Sequence, residues 1–218
     1  EKGTVNEHVA NKDMSLSLKK GEFVTVVGSN GAGKSTLFNA ICGSFMVDSG
    51  KILLDNEDIT YKSEHKRARE IGRVFQAPMK GTAPHMTIEE NLALAYTRSQ
   101  RHANPFSSAI TKKKTAFFRE NLARYHMGIE DRMKTKIGLL SGGQRQVVTL
   151  LMWTLSVPKL LLLDEHTAAL DPATAEKVME ITKTIVAENN ITTMMITHNL
   201  KQSLSTGSRT IMLDSGEI

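Results

Sequence analysis

Short apolar runs alternate along the chain with segments of helical period. Phe23–Val27, Lys51–Leu54, Ile71–Phe75, Leu160–Leu163, Thr192–Ile196 and Thr210–Leu213 read as strands. Strands separated by helix-length segments are the rhythm of an α/β fold with a mainly parallel sheet. Leu160-Leu161-Leu162-Leu163 shows no alternation, which predicts a central strand covered on both faces. Pro172–Glu188 predicts a helix: Asp171 stands at the N-cap, Pro172 at the first helical position, and Val178, Ile181 and Ile185 share one face. Between Pro78 and Trp153 the rhythm changes. Thr87 is placed to cap a helix beginning at Ile88, and Lys112–Met127 and Gln144–Ser156 also have helical period. A Ser-, Pro- and Asn-rich loop at residues 99–108 lies among them. The block reads as a helical insertion between two strands of one domain.

Composition narrows the picture. The chain has 218 residues, 40% hydrophobic and 23% charged, which is ordinary globular usage. A chain of this length buries on the order of 70% of its unfolded surface, enough for one substantial core. Cys42 is the single cysteine, too few for a disulfide framework, a zinc site or an iron–sulfur cluster, and it is expected as a small core residue. Met194 and Met195 are expected in the sheet core, and Trp153 packed at the end of its helix. No run approaches the roughly 20 apolar residues of a membrane span. The polar start EKGTVNEHVANKD lacks the apolar centre of a secretory leader. Lys and Arg number 28 against 23 Asp and Glu, a net charge of +5. The basic residues lie in Lys62–Arg73 and Arg98–Lys136 with acids scattered through both, so they read as solvated helix surface rather than a nucleic-acid groove.

The chemistry begins after the first strand. Gly28-Ser29-Asn30-Gly31-Ala32-Gly33-Lys34-Ser35-Thr36 matches G-x-x-x-x-G-K-[ST] between a strand and a helical pattern opening at Leu37. Glycines let the backbone curl so that several N–H groups point inward at the positive end of a helix, where a polyphosphate sits. Lys34 is expected across the β- and γ-phosphates, the Ser35 hydroxyl on Mg²⁺ and Thr36 near the α-phosphate. The apolar run at Leu160 ends in Asp164-Glu165. Carboxylates at the carboxyl edge of a parallel sheet face the ligand crevice. Asp164 is then placed to hold Mg²⁺ and Glu165 to take a proton from an attacking water. Taken alone, two acids could simply end a strand in solvent.

Leu140-Ser141-Gly142-Gly143-Gln144-Arg145-Gln146 resembles the signature motif of ATP-binding-cassette (ABC) ATPases. Other segments fall into that family's order. Gln76 resembles the Q-loop glutamine, Ala168-Ala169-Leu170-Asp171 the D-loop, and His198 after Ile196-Thr197 the switch histidine. Singly, Ser141 and Asp171 could be plain helix caps and His198 a surface histidine; together with the phosphate loop and Asp164-Glu165, in order, they carry the resemblance, which runs from Lys19 to Ile218. It implies a P-loop NTPase fold: a RecA-like core with a mainly parallel sheet, a small antiparallel β subdomain and an ABC-type helical subdomain. The core and β subdomain would occupy 1–77 and 156–218, and the helical subdomain 78–155.

The resemblance implies ATP and Mg²⁺ as ligands, with Ser29, Asn30, Gly31, Ala32, Gly33, Lys34, Ser35 and Thr36 around the nucleotide. Ser35, Gln76 and Asp164 would hold the metal, and Glu165, His198 and Gln76 would serve hydrolysis. It also implies a head-to-tail dimer in which Ser141, Gly142, Gly143, Gln144 and Asp171 reach the nucleotide of the other copy. The expected setting is the cytoplasmic face of the cell membrane, docked on permease subunits fed by an extracytoplasmic binding lipoprotein, with no nucleic-acid partner. Asp164-Glu165-His166-Thr167 and Gly72-Arg73-Val74-Phe75-Gln76 are most similar to bacterial tryptophan/tyrosine importer ATPases. His166 stands where most of the family has proline and is expected to fill space. No aromatic precedes Phe23, so the adenine-stacking residue is unassigned and is expected just before Glu1. The competing reading is a soluble ABC-type ATPase acting on nucleic acid or ribosomes.

Overall fold

A computed structural model describes residues 10–77, 79–98 and 110–218. The loop expected at residues 99–108 and most of the polar start lie outside them. Five strands form a parallel sheet: β1 (Phe23–Val27), β4 (Ile71–Val74), β5 (Leu160–Asp164), β6 (Thr192–Ile196) and β7 (Arg209–Met212), ordered β4-β5-β6-β1-β7. The unbroken leucine run is the reason β5 lies inside. Leu161, Leu162 and Leu163 are fully buried. Because side chains alternate across a strand, Leu161 and Leu163 pack into one core while Leu160 and Leu162 pack into the other. The second core contains Phe38 of α1 (Lys34–Cys42), together with Cys42 and Met194; Met195 faces the first. Burial pushes the Cys42 thiol up from its ordinary value.

The first core runs without a break into the helical block. It takes side chains from α3 (Ile88–Arg98), α4 (Lys112–Ala123), α5 (Gly142–Thr154) and α6 (Pro172–Glu188). Trp153 packs against this core and over Gly72 of β4. The expected cap of α3 is present: Thr87 Oγ1 accepts from Glu90 N–H, and Glu90 accepts in return from Thr87.

Several boundaries differ from expectation. The strand expected over Lys51–Leu54 shortens to β2 (Leu53–Leu54), paired with β3 (Glu57–Asp58) across Asp55 and Asn56, both at positive φ. Such a two-residue hairpin turn tolerates Asp and Asn because their short side chains accept the left-handed region. α1 starts at Lys34 rather than Leu37, and α5 starts at Gly142 because Ser141 caps it. α4 stops at Ala123, short of His126 at positive φ. The short helices α2 (Glu64–Arg67) and α7 (Leu200–Thr206) were not expected, being too brief to show a period.

Arg67 explains how the β-hairpin lobe is fixed. It is 2% exposed and donates to the carbonyls of Ala40 (2.7 Å), Ile41 (2.9 Å), Thr60 (2.7 Å) and Lys62 (2.9 Å). The first two lie at the C-terminal end of α1, where Ala40 also accepts from the Gly43 N–H and a cation suits the helix dipole.

Candidate nucleotide-binding and hydrolysis site

The loop between β1 and α1 is a nest built by glycine. Gly31 and Gly33 lie at φ 84° and 97°, in the left-handed region. Gly33 is the N-cap of α1 and contributes no side-chain cap, so the first turn directs its backbone N–H groups outward. A Cβ on Gly33 would sit 2.3 Å from the Ala10 carbonyl oxygen, which excludes larger residues. Lys34 is 6% exposed, and its Nζ donates to the carbonyls of Gly28 and Ser29, each at 2.8 Å. An ammonium has three donors, so one remains for an anion in the loop. Ala32 and Gly33 are buried and Thr36 is half-buried, whereas Ser29, Asn30, Gly31 and Ser35 are exposed.

At the carboxyl edge of the sheet three expected residues meet. Glu165 follows β5 at φ 47°, a left-handed conformation unusual for a side-chain-bearing residue and typical of functional positions. His198 Nε2 lies 2.6 Å from Glu165 Oε1, and Gln76 Nε2 donates to Oε2 at 3.4 Å. Each carboxylate oxygen therefore has one partner from a different element edge. Asp164, one residue earlier, points the other way and pairs with Arg73.

The next residue, His166, faces inward. It is 1% exposed and stands within reach of Thr182 of α6, Nε2 to Oγ1 at 3.1 Å. Thr182 gives its own proton to the Val178 carbonyl, so Nε2 carries the hydrogen and Thr182 accepts. Burial lowers the imidazole pKa from 6.5 to about 4, so the ring is neutral near pH 7. Its burial supports the space-filling reading.

The residues expected to act on another copy form one patch. Ser141 Oγ accepts from Gln144 N–H, and Gln144 Oε1 accepts from Ser141 N–H, a reciprocal capping box at the start of α5. Asp171 Oδ1 accepts from Thr174 N–H at 3.0 Å, and these hydrogen bonds hold its carboxyl below the ordinary range. A Cβ on Gly142 would lie 2.9 Å from Leu170 Cδ2, and one on Gly143 only 2.2 Å from Thr174 Cγ2. The two helix starts thus touch through glycine. Among the described residues, no hydrogen bond joins this patch to Gly28–Thr36 of the same chain.

Three partners escaped the sequence reading. Arg73 binds Asp164. Arg145 donates to the carbonyls of Ile137, Gly138 and Leu140, bracing the 3₁₀ turn Ile137–Leu139 before the signature segment. Gln146 is fully buried, and its Nε2 donates to the Phe75 carbonyl at 3.4 Å, tying α5 to the residue before Gln76. A charged residue inside the apolar run Ile71–Phe75 was the available signal, because a buried charge needs a partner.

The donor set suits Mg²⁺. Ser35, Asp164 and Gln76 offer hard oxygens, and among the described residues no group of three or more His, Cys, Asp or Glu could hold an ion unaided. Mg²⁺ characteristically binds through one or two carboxylates together with substrate phosphates.

The family model described as ABC transporter matches residues 11–168. The chain belongs to the ABC transporter family. This cassette is 46% identical over 207 residues to the tyrosine transport ATP-binding protein of Clostridioides difficile, covering 95% of this chain and 81% of that protein. It is 33% identical over 207 residues to the spermidine/putrescine import ATP-binding protein PotA of Haemophilus ducreyi, covering 95% of this chain and 52% of the relative. The cassette spans about half the length of several such curated relatives. Among solved structures it resembles a dimeric ATP-binding cassette in a post-hydrolysis state bound to ADP and Pi, with a TM-score of 0.77 and 30% identity over 96% of this chain and 88% of that one. The fold is that of a P-loop NTPase, and the cassette is an ATPase that uses ATP with Mg²⁺. Among the described residues no helix is long and apolar enough to cross a membrane.

Proposed function

We propose that this cassette energises an amino-acid importer, hydrolysing two ATP at the seam between two head-to-tail copies. The observation that carries the site reading is the convergence of Gln76 and His198 on the two oxygens of Glu165. The importer reading draws on relatives named for tyrosine transport and for spermidine/putrescine import, so an aromatic amino acid is the proposed cargo class. Chain segments 1–77 and 156–218 form the proposed catalytic core with its β subdomain, and 78–155 the helical subdomain.

The triphosphate lies in the Gly28–Thr36 nest, facing the first turn of α1, with the third Lys34 donor on the γ-phosphate. Bound Mg²⁺, held by Ser35, Asp164 and Gln76, supplies charge neutralisation on the phosphates. Glu165 accepts the proton of the attacking water. His198 redirects its Nε2–H hydrogen bond from Glu165 to the γ-phosphate, keeping its proton, which frees one carboxylate oxygen for the proton of the water. Ser141 Oγ is only an acceptor in its capping box, so its hydroxyl proton stays available to the γ-phosphate of the other copy. Gly142, Gly143, Gln144 and Asp171 line the same face. Closure then follows from linkage: ATP contacts both copies only in the closed pair.

The proposed setting is the cytoplasmic membrane face, with permease subunits and a binding lipoprotein as partners. The test is a tagged pull-down of the full-length protein from detergent-solubilised native membranes. Recovery of a multi-span permease, with a co-purifying lipoprotein, is expected. Ribosomal or DNA-bound partners without a permease would overturn the transport reading and leave the ATPase chemistry standing.

A further inference from the structure

β4 carries one charged residue. Arg73 has an 11% exposed side chain, and the period of two places it with Ile71 on the sheet face that α1 covers. The same period places Asp164 with Leu160 and Leu162 on that face. The guanidinium is held from three sides. Nη1 donates to Asn39 Oδ1 of α1 at 2.6 Å, Nη2 donates to Asp164 Oδ2 at 3.1 Å, and Cζ lies 4.8 Å from the centre of the Phe75 ring. Phe75 in turn is fixed through its carbonyl by the buried Gln146 and is followed by Gln76.

Asp164 and Glu165 are adjacent carboxylates, with side chains 16% and 15% exposed. Packed so closely out of water, each needs hydrogen-bond donors of its own. Glu165 has His198 and Gln76. Lys34 Nζ donates to the carbonyls of its own loop, whereas Arg73 donates to Asp164.

We propose that Arg73 is the resident counter-ion of Asp164: a positioning residue that fixes this carboxylate before Mg²⁺ arrives and moderates its hold on the ion afterwards. The proposal rests on the reading of Asp164 as a Mg²⁺ holder. Arg73 occupies Oδ2 and leaves Oδ1 open, so it aims the carboxylate without closing it. It also sets a fixed positive charge beside a dication. At the effective dielectric of a part-buried site, that repulsion outweighs the entropy of ordering one short side chain. Arg73 therefore stabilises the metal-free protein and weakens Mg²⁺ binding. An arginine with a packing role alone would have the first effect and not the second.

The experiment uses the full chain as wild type, Arg73→Met, Arg73→Lys and Asp164→Asn. The thermal midpoint is measured in EDTA without nucleotide. The free Mg²⁺ that half-saturates the enhancement of binding of a fluorescent ATP analogue is then measured by titration. Arg73→Met is expected to melt earlier in EDTA and to half-saturate at a Mg²⁺ concentration lower by about threefold or more. Arg73→Lys keeps the charge and is expected to stay near wild type in the titration. If Arg73→Met does not fold, Arg73→Gln gives the same reading, since it keeps a donor and loses the charge. A half-saturating Mg²⁺ that is unchanged or higher without the charge overturns the proposal. Asp164→Asn separates the two levels: it should raise half-saturating Mg²⁺, and no change there would sink the metal assignment itself and the proposal with it.

Discussion

Glu165 sits in a left-handed backbone conformation with both carboxylate oxygens engaged, by His198 and Gln76. Holding a side-chain-bearing residue there costs on the order of 1 kcal/mol, so the surroundings must over-determine it. Its amide does so in part by donating to the Ile196 carbonyl at 3.1 Å. As the proposed base, Glu165 can be tested without emptying the site. Glu165→Gln should keep ATP affinity in a nucleotide titration while phosphate release falls by about 100-fold or more. Unchanged hydrolysis would remove Glu165 from that role. His166 makes a different prediction, one of stability. Its pKa is about 4 in the fold against 6.5 ordinarily, so between those values the unfolded chain binds a proton that the folded chain refuses. Stability is thus fully present above pH 6.5 and falls as the pH drops towards 4, by about 1.4 kcal/mol per unit and about 3 kcal/mol in all. His166→Gln keeps a donor for Thr182 without titrating. It should flatten the pH dependence of urea unfolding in that window, and an unchanged slope would contradict the assignment.

The glycines at the start of α5 serve packing whatever else they do. A methyl at Gly143 would meet Thr174 Cγ2 at 2.2 Å, where α5 and α6 begin side by side. Gly143→Ala should therefore destabilise the chain by about 1–3 kcal/mol in urea unfolding. Adding Thr174→Ser, which deletes the opposing methyl, should recover most of that loss. If stability returns and ATPase activity does not, Gly143 also acts at the seam between copies. Much of this element level was legible in the sequence. The phosphate loop, the leucine strand and the capped helix α6 announce themselves through local chemistry: glycine plus lysine, an unbroken apolar run, and Asp171-Pro172 at a helix start. What stayed hidden depends on elements distant in sequence. Arg67 reaches back 27 residues to Ala40, Gln146 reaches 71 residues to Phe75, and Arg73 reaches 91 residues to Asp164. No local pattern encodes such partners. The short α2 and α7 were hidden for another reason: a helix of one or two turns shows too little of its period.

At the scale of the whole molecule, the sheet and the helical block share one continuous core, from Leu161 and Leu163 through Val147 and Val148 to Leu92 and Phe118. The starts of α5 and α6 are therefore joined through packed side chains to the sheet that carries Glu165. Yet Ser141 and Asp171 hydrogen-bond to nothing in the phosphate loop of their own chain among the described residues. A phosphate loop and a signature face on one chain, each without its counterpart, fit two copies joined head to tail. The most direct test is the mass in solution of Glu165→Gln, measured by light scattering with and without Mg-ATP. A monomer without nucleotide and twice that mass with Mg-ATP are expected, because binding persists while the step that reopens the pair is blocked. A protein that binds the nucleotide and remains monomeric at every concentration would contradict it.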